Sequence, residues 1–223
     1  MSEAEHEPAA FDGVSPRPAN ASGMYVPPAF AVADREFALR LIERYPFGIL
    51  VTPGVPFLQA THLPMLAHAR GDDLWIVGHV ARANPQARAI EDREAGTALF
   101  SGPHAYVSPA WYASPSTSVP TWNYTAVHAA GRLVECDGAE VVALLTEAFE
   151  RERPVPWRLE TIDPDYYGKQ LRGIVAFEMR VEALTCAAKL SQNRSADDRS
   201  AVIDALAQSP RPLDRDCARA MQG

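Results

Sequence analysis

The residues best suited to chemistry fall in three short stretches. The first is His79-Val80-Ala81-Arg82-Ala83-Asn84-Pro85-Gln86. Asn84 suits a helix N-cap and Pro85 a first helical position, so a strand end, an arginine and a helix start meet here. Free N–H groups, the positive end of a helix dipole and a guanidinium fork together make a phosphate seat. The plainer alternative is a surface arginine beside an ordinary capped helix. The second stretch runs from Gly102 to Tyr124 and holds two of the four tryptophans, three tyrosines and four prolines. It reads as a long loop, and a loop this rich in rings is a candidate binding surface. Within it, Trp122, Asn123 and Tyr124 combine flat faces with an amide that both donates and accepts, which suits a flat, heteroatom-rich ligand. The alternative is a proline-stiffened loop packing its own rings on the core. The third is the polar run Lys189-Leu190-Ser191-Gln192-Asn193-Arg194, whose plainest role is a helix-entry loop satisfying its own backbone.

Other chemistries find little support. GxGxxG, GxxxxGK[ST] and HExxH are all absent, so Rossmann, P-loop and zincin readings do not apply. His62, His79, His104 and His128 lack partners at i+3 or i+4. His62 and His79 fall on neighbouring expected strands, so a two-histidine metal or haem site is geometrically open. The favoured reading is a structural or ligand-contacting histidine, with no metal. The three cysteines, Cys136, Cys186 and Cys217, have no CxxC spacing, which fits a reducing, cytoplasmic setting. The formal net charge of −7 speaks against a large nucleic-acid footprint and leaves DNA binding without electrostatic support. No apolar run approaches the ~20 residues of a membrane span, and acids precede any apolar stretch at the N-terminus, unlike a secretory signal.

The elements that must position these residues follow from pattern and punctuation. Residues 1–23 carry Ala, Glu, Pro and Ser without apolar period and read as a disordered extension. Asp34 caps an amphipathic helix over Arg35 to Tyr45, and Pro46 stops it. A buried strand follows at Phe47 to Thr52. A second spans Phe57 to His68, with Pro64 marking an edge or bulge. A third covers Asp73 to Val80. A short helix reaches Glu91, a strand runs Gly96 to Ser101, and another runs Thr121 to Cys136. Helices are expected at Gly138 to Arg153 and Asp165 to Gln170, then a long strand from Arg172 to Leu184 and a helix after Ser195. The tail at 208–223 reads as a loose helix. About six strands without regular β–α alternation indicate the α+β class, an antiparallel barrel with flanking helices.

Six motifs in series resemble the PaiB family of FMN-binding negative transcriptional regulators. They are MYVPPAF at Met24, ATHLPM at Ala60, GHVARANPQ at Gly78, GPHAYVSPAWY at Gly102, VPTWNY at Val119 and KLSQNR at Lys189. Together they span nearly all of residues 24–207. The resemblance implies a split β-barrel, a homodimer and FMN at the subunit interface. It assigns the phosphate to Arg82, helped by Thr61 and Asn84. It brings His62, Trp122 and Asn123 to the flavin ring, and Lys189, Ser191, Gln192 and Asn193 to its edge or phosphate, and His79 is counted among the cofactor-binding residues. It implies negative regulation of transcription, direct or indirect. An FMN-dependent oxidoreductase and a haem-handling split barrel stand as alternatives.

Overall fold

The computed structural model describes residues 23–223, so all but the last residue of the expected extension lies outside the described residues. A 3-10 turn at Pro28–Phe30 comes first, followed by strand β1 (Ala31–Val32) and helix α1 (Arg35–Arg44). Asp34 caps α1 by accepting from the Glu36 N–H, and Ala38, Leu41 and Ile42 form its buried stripe. Four strands follow: β2 (Phe47–Thr52), β3 (Gln59–Pro64), β4 (Leu66–Arg70) and β5 (Asp73–Ala81). Helix α2 (Gln86–Glu91) then leads to two long strands, β6 (Ala95–Val107) and β7 (Thr121–Cys136). Helices α3 (Gly138–Glu150) and α4 (Pro164–Leu171) precede the last strand, β8 (Ile174–Lys189). Helices α5 (Ala196–Ala207) and α6 (Pro212–Gln222) finish the chain.

All strands join one antiparallel sheet in the order β3-β2-β6-β7-β8-β5-β4, with β1 paired to β8. The two edge strands are consecutive in the chain. β3 ends at Pro64, Met65 is buried, and β4 begins at Leu66. The segment expected as one strand from Phe57 to His68 is therefore two, and it changes partner at its proline. Proline offers no ladder N–H, so pairing can lapse there. The Met65 N–H donates instead to the Pro46 carbonyl, at 2.9 Å. The sheet thus curls until its edges meet around a core that includes Leu50, Ile76, Phe100, Val127 and Phe177. A register shift at Ala130/Gly131 helps it bend; a side chain at Gly131 would put its Cβ 2.0 Å from the Arg180 carbonyl oxygen.

Two helices plug the barrel core. Leu41 and Ile42 of α1 join the core, as do Ala87 and Ile90 of α2. Gln86 opens α2 fully buried, and its Nε2 donates toward the Leu50 and Gln59 carbonyls and the Thr52 hydroxyl. One side chain therefore ties the plug to both β2 and β3. A second core forms where β6 and β7 extend past the barrel. There Ala105, Val107 and Tyr112 meet Val202 and Leu206 of α5 and Cys217, Ala218 and Met221 of α6. The tail beyond residue 207 is accordingly helical and packed against the sheet.

Replacing Gln86 with leucine keeps the volume but strands two backbone carbonyls. Each unmade buried bond costs about 1–3 kcal/mol. Urea unfolding of Gln86→Leu should show a lower midpoint at unchanged slope, by about that amount. An unchanged midpoint would mean that the plug is held by Ala87 and Ile90 alone.

Candidate functional site

The strand switch at Met65 opens a split in the barrel wall. The last β4–β5 pair is Leu66 with Val77. Beyond it β3 pairs with β2 and β5 continues on β8, so the two strands diverge. Thr61 and His62 lie on one side of this split and His79 on the other. Asn84 bridges it: its Nδ2 donates to the Thr61 hydroxyl at 2.8 Å, while its Oδ1 accepts from the Gln86 N–H at 2.9 Å. Asn84 thus supplies the expected capping bond, with Pro85 at the cap position of α2.

Arg82 belongs to the same connection but is partly committed. Its Nε donates to the Arg172 carbonyl at 3.0 Å and its NH2 to the Ile174 carbonyl at 2.8 Å. Its NH1 lies 3.7 Å from Glu91. It borders a cleft of about 370 Å³ together with Arg172 and the start of α3. His79 is half-buried, and its Nδ1 is buried without a hydrogen-bond partner among the described residues. Burial lowers the pKa of this ring below the ordinary 6.5, so it is neutral at neutral pH.

The second feature is an aromatic shelf. The stretch from Gly102 to Tyr124, expected as one long loop, is a loop only in its middle. β6 runs on to Val107 and β7 starts at Thr121, pairing His104 with Tyr124 and Tyr106 with Trp122. Side chains alternate faces along a strand. Tyr106 and Trp122 therefore point outward, 42% and 48% exposed, with ring centroids 6.1 Å apart. His104 lies 6.3 Å from Trp122 on the same face. On the adjoining strands Phe47, 66% exposed, stacks on His62 at 6.3 Å. Lys189 of β8 pairs with Tyr124, so it stands at the shelf edge, where its Nζ meets the Thr121 hydroxyl and the Phe30 ring. Burial, with Arg194 nearby, lowers the Lys189 pKa.

Asn123 corrects the expectation that it shares this face. It is fully buried on the inner side, where its Nδ2 meets the Ser191 hydroxyl at 2.9 Å and Met221 Sδ at 3.3 Å. Ser191, buried with φ of 61°, donates back to Asn123 Oδ1 at 3.1 Å. Gln192 is spent on its own loop, accepting from the Leu190 N–H and donating to the Ala29 and Ala188 carbonyls. Asn193 is exposed in the turn. Of the polar run, then, only Lys189 reaches the shelf. Sequence reasoning missed Phe47, His104 and Tyr106 as its neighbours. Strand alternation extended through residues 104–107 would have found the last two.

An antiparallel barrel open between β3 and β5 defines a split-barrel protein. The fold resembles the FAD and haem binding protein of Mycobacterium smegmatis, with a TM-score of 0.56 at 16% identity over 77% of this chain and 78% of that one. It equally resembles the flavocytochrome Anf3 of Azotobacter vinelandii, with a TM-score of 0.56 at 17% identity over 77% and 75% of the two chains. Residues 24–183 match the family described as "Putative FMN-binding domain". The chain is 38% identical over 202 residues to the "Protease synthase and sporulation protein PAI 2" of Bacillus subtilis, covering 89% of this chain and 97% of that protein. An uncharacterised protein of Aspergillus fumigatus is 31% identical over 234 residues, covering 81% and 90%. The chain belongs to this FMN-binding, PaiB-type family.

The buried imidazoles set a pH dependence. The His68 pKa is also lowered, chiefly by burial and then by Arg70, with Glu178 opposing. Below about 6.5 the unfolded chain binds protons that the folded His68 and His79 resist, so stability is full above that pH and falls as pH drops through it. Melting curves from pH 8 to 5 should show this fall, and His79→Asn should make it shallower. An identical slope in the variant would exclude His79 as a contributor.

Proposed function

We propose that the chain binds FMN as a cytoplasmic homodimer and acts as a negative regulator of gene expression by an indirect route. The observation that carries the cofactor reading is the aromatic shelf on β6 and β7, in a chain of an FMN-binding family. The residues fit the group. The outward rings of Trp122 and Tyr106 offer apolar faces to the isoalloxazine, and Lys189 offers a cation at its edge. His62, stacked on Phe47, lies on β3 at the split. Thr61, Asn84 and Arg82 stand where the phosphate would end. Arg82 can serve it only through the N–H groups its carbonyl partners leave free, which requires leaving Glu91. His79 Nδ1 is a buried atom in want of a partner. Bound FMN would supply any redox chemistry, and the protein would orient it and exclude water.

The homodimer rests on the outer face of β2, β6 and β7. Ile49, Val51, Leu99 and Ala130 lie partly exposed there, continuous with the shelf. A two-fold copy would cover this face and bring its own Trp122 toward the split of the first chain. Regulation is read as indirect because the chain carries a net charge of −7, the wrong sign for strong attraction to phosphate. Among the described residues no helix is long and apolar enough to cross a membrane. Cys136, Cys186 and Cys217 are free, and burial pushes each thiol up to about 11, which suits a reducing compartment.

Titration should give one FMN per chain, bound more tightly than riboflavin. Arg82→Ala should lose roughly tenfold for FMN and little for riboflavin. Trp122→Ala should lose for both. Mixing these two variants under subunit exchange should restore about a quarter of full FMN capacity, since half the dimers then hold one intact site. A monomer that holds FMN tightly would end the shared-site reading. Mobility-shift assays on the regulated promoter DNA at low and physiological salt should show no specific complex; a salt-resistant, sequence-specific shift would establish direct binding instead.

A further inference from the structure

A cavity of about 520 Å³ lies on the inner side of the β6–β7 ribbon, away from the shelf, between α1 and α6. Phe37, Leu41 and Tyr45 of α1, with Pro103, give it apolar walls. Three arginines border it, Arg40 and Arg44 from α1 and Arg219 from α6, against the carboxylates of Asp216 and Gly223. Asp216 is already paired with Arg219, and Arg40 is paired with Asp34 at 3.3 Å. Arg44 has no ionic partner among the described residues. The lining also includes Thr125, 4% exposed, whose Oγ1 is buried without a hydrogen-bond partner among the described residues. Gly102 stands against that hydroxyl, and a Cβ there would fall 2.2 Å from it.

An unpartnered cation, an unpartnered hydroxyl and apolar walls ask for one kind of guest. From this the geometry points to a second ligand site, for a small carboxylate with an apolar tail. The carboxylate would pair with Arg44, the tail would lie along Leu41 and Tyr45, and no bond would be made or broken. An apolar cavity with one guanidinium that has no ionic partner among the described residues selects a guest by charge as well as by shape. Ligand pockets combine mostly apolar walls with a few placed polar groups in this way.

Calorimetry with decanoate, decanol and acetate on the full-length protein tests this. Decanoate should bind one per chain. Decanol lacks the charge and acetate the tail, so each should bind at least about tenfold more weakly. Arg44→Glu reverses the free charge on an exposed position and should weaken decanoate by tenfold or more. Ala220→Phe fills the cavity from α6 and should weaken it likewise. Melting curves on both variants establish that they remain folded. Decanol binding as tightly as decanoate, no saturable decanoate binding, or wild-type affinity in either folded variant would overturn the assignment.

Discussion

The whole molecule depends on the strand that changes partner at Pro64 and Met65. Because one continuous segment supplies both edges of the sheet, those edges are held together by the chain at Met65, and the curl encloses the core. The same switch prevents complete closure. Past Leu66 and Val77 the two halves of that wall separate, and the split must be held by side chains. Asn84 to Thr61 is one such tie, and Gln86 to the β2 and β3 carbonyls is another. Barrel stability and the opening therefore share a cause. Any change that paired β3 with β5 would close that opening.

The second constraint is the alternation of β7. Trp122 and Tyr124 take the outer face, and Asn123 and Thr125 the inner. Two chemistries are thereby kept on opposite sides of one strand. Outside is a ring shelf with Lys189 at its edge. Inside, Asn123 locks Ser191 in the left-handed region, which a serine rarely adopts, and fixes Met221 of α6. The conformation persists because its hydroxyl and the amide satisfy each other where water cannot reach. This knot holds the C-terminal helices to the ribbon and so shapes the cavity behind it.

Local signals made much of this legible. Asp34 caps α1 as its type suggests, and the amphipathic pattern of Arg35 to Tyr45 is realised as a helix with one buried stripe. Pro64 announced an irregularity, but partner exchange is a non-local fact that one residue type does not encode. The ribbon was obscured by composition. Pro103 reads as a loop residue, yet it sits at the register shift between Ser101 and His104, where no ladder N–H is required. Reading residues 102–124 as loop then removed the period that separates Trp122 from Asn123. Trp122 was legible by type alone. Placing Lys189 beside Tyr124 required the register of β7 on β8, which links residues 65 positions apart and leaves no trace in either segment.

The shelf also bears on what would cover a ligand lying upon it. A flat ring on Trp122 and Tyr106 has one face buried and one in water. The segment best placed to fold over it is the connection between β6 and β7, which carries Trp111 and Tyr112. Those rings are engaged elsewhere. Tyr112 is 4% exposed in the second core, with the Arg194 guanidinium 4.4 Å from its ring centre, and Trp111 packs against the same cluster. The Ala113 N–H further along donates to Asp198 of α5 at 2.9 Å. Lifting this loop over the shelf would expose that core and strip a buried tyrosine, at a cost of about 1.5–3 kcal/mol for the tyrosine alone. A second copy meets no such penalty. It brings its own half-exposed rings and partly exposed sheet face, and both surfaces leave water together. In the proposed dimer, ligand binding and association would form one equilibrium, each covering apolar surface that the other leaves open.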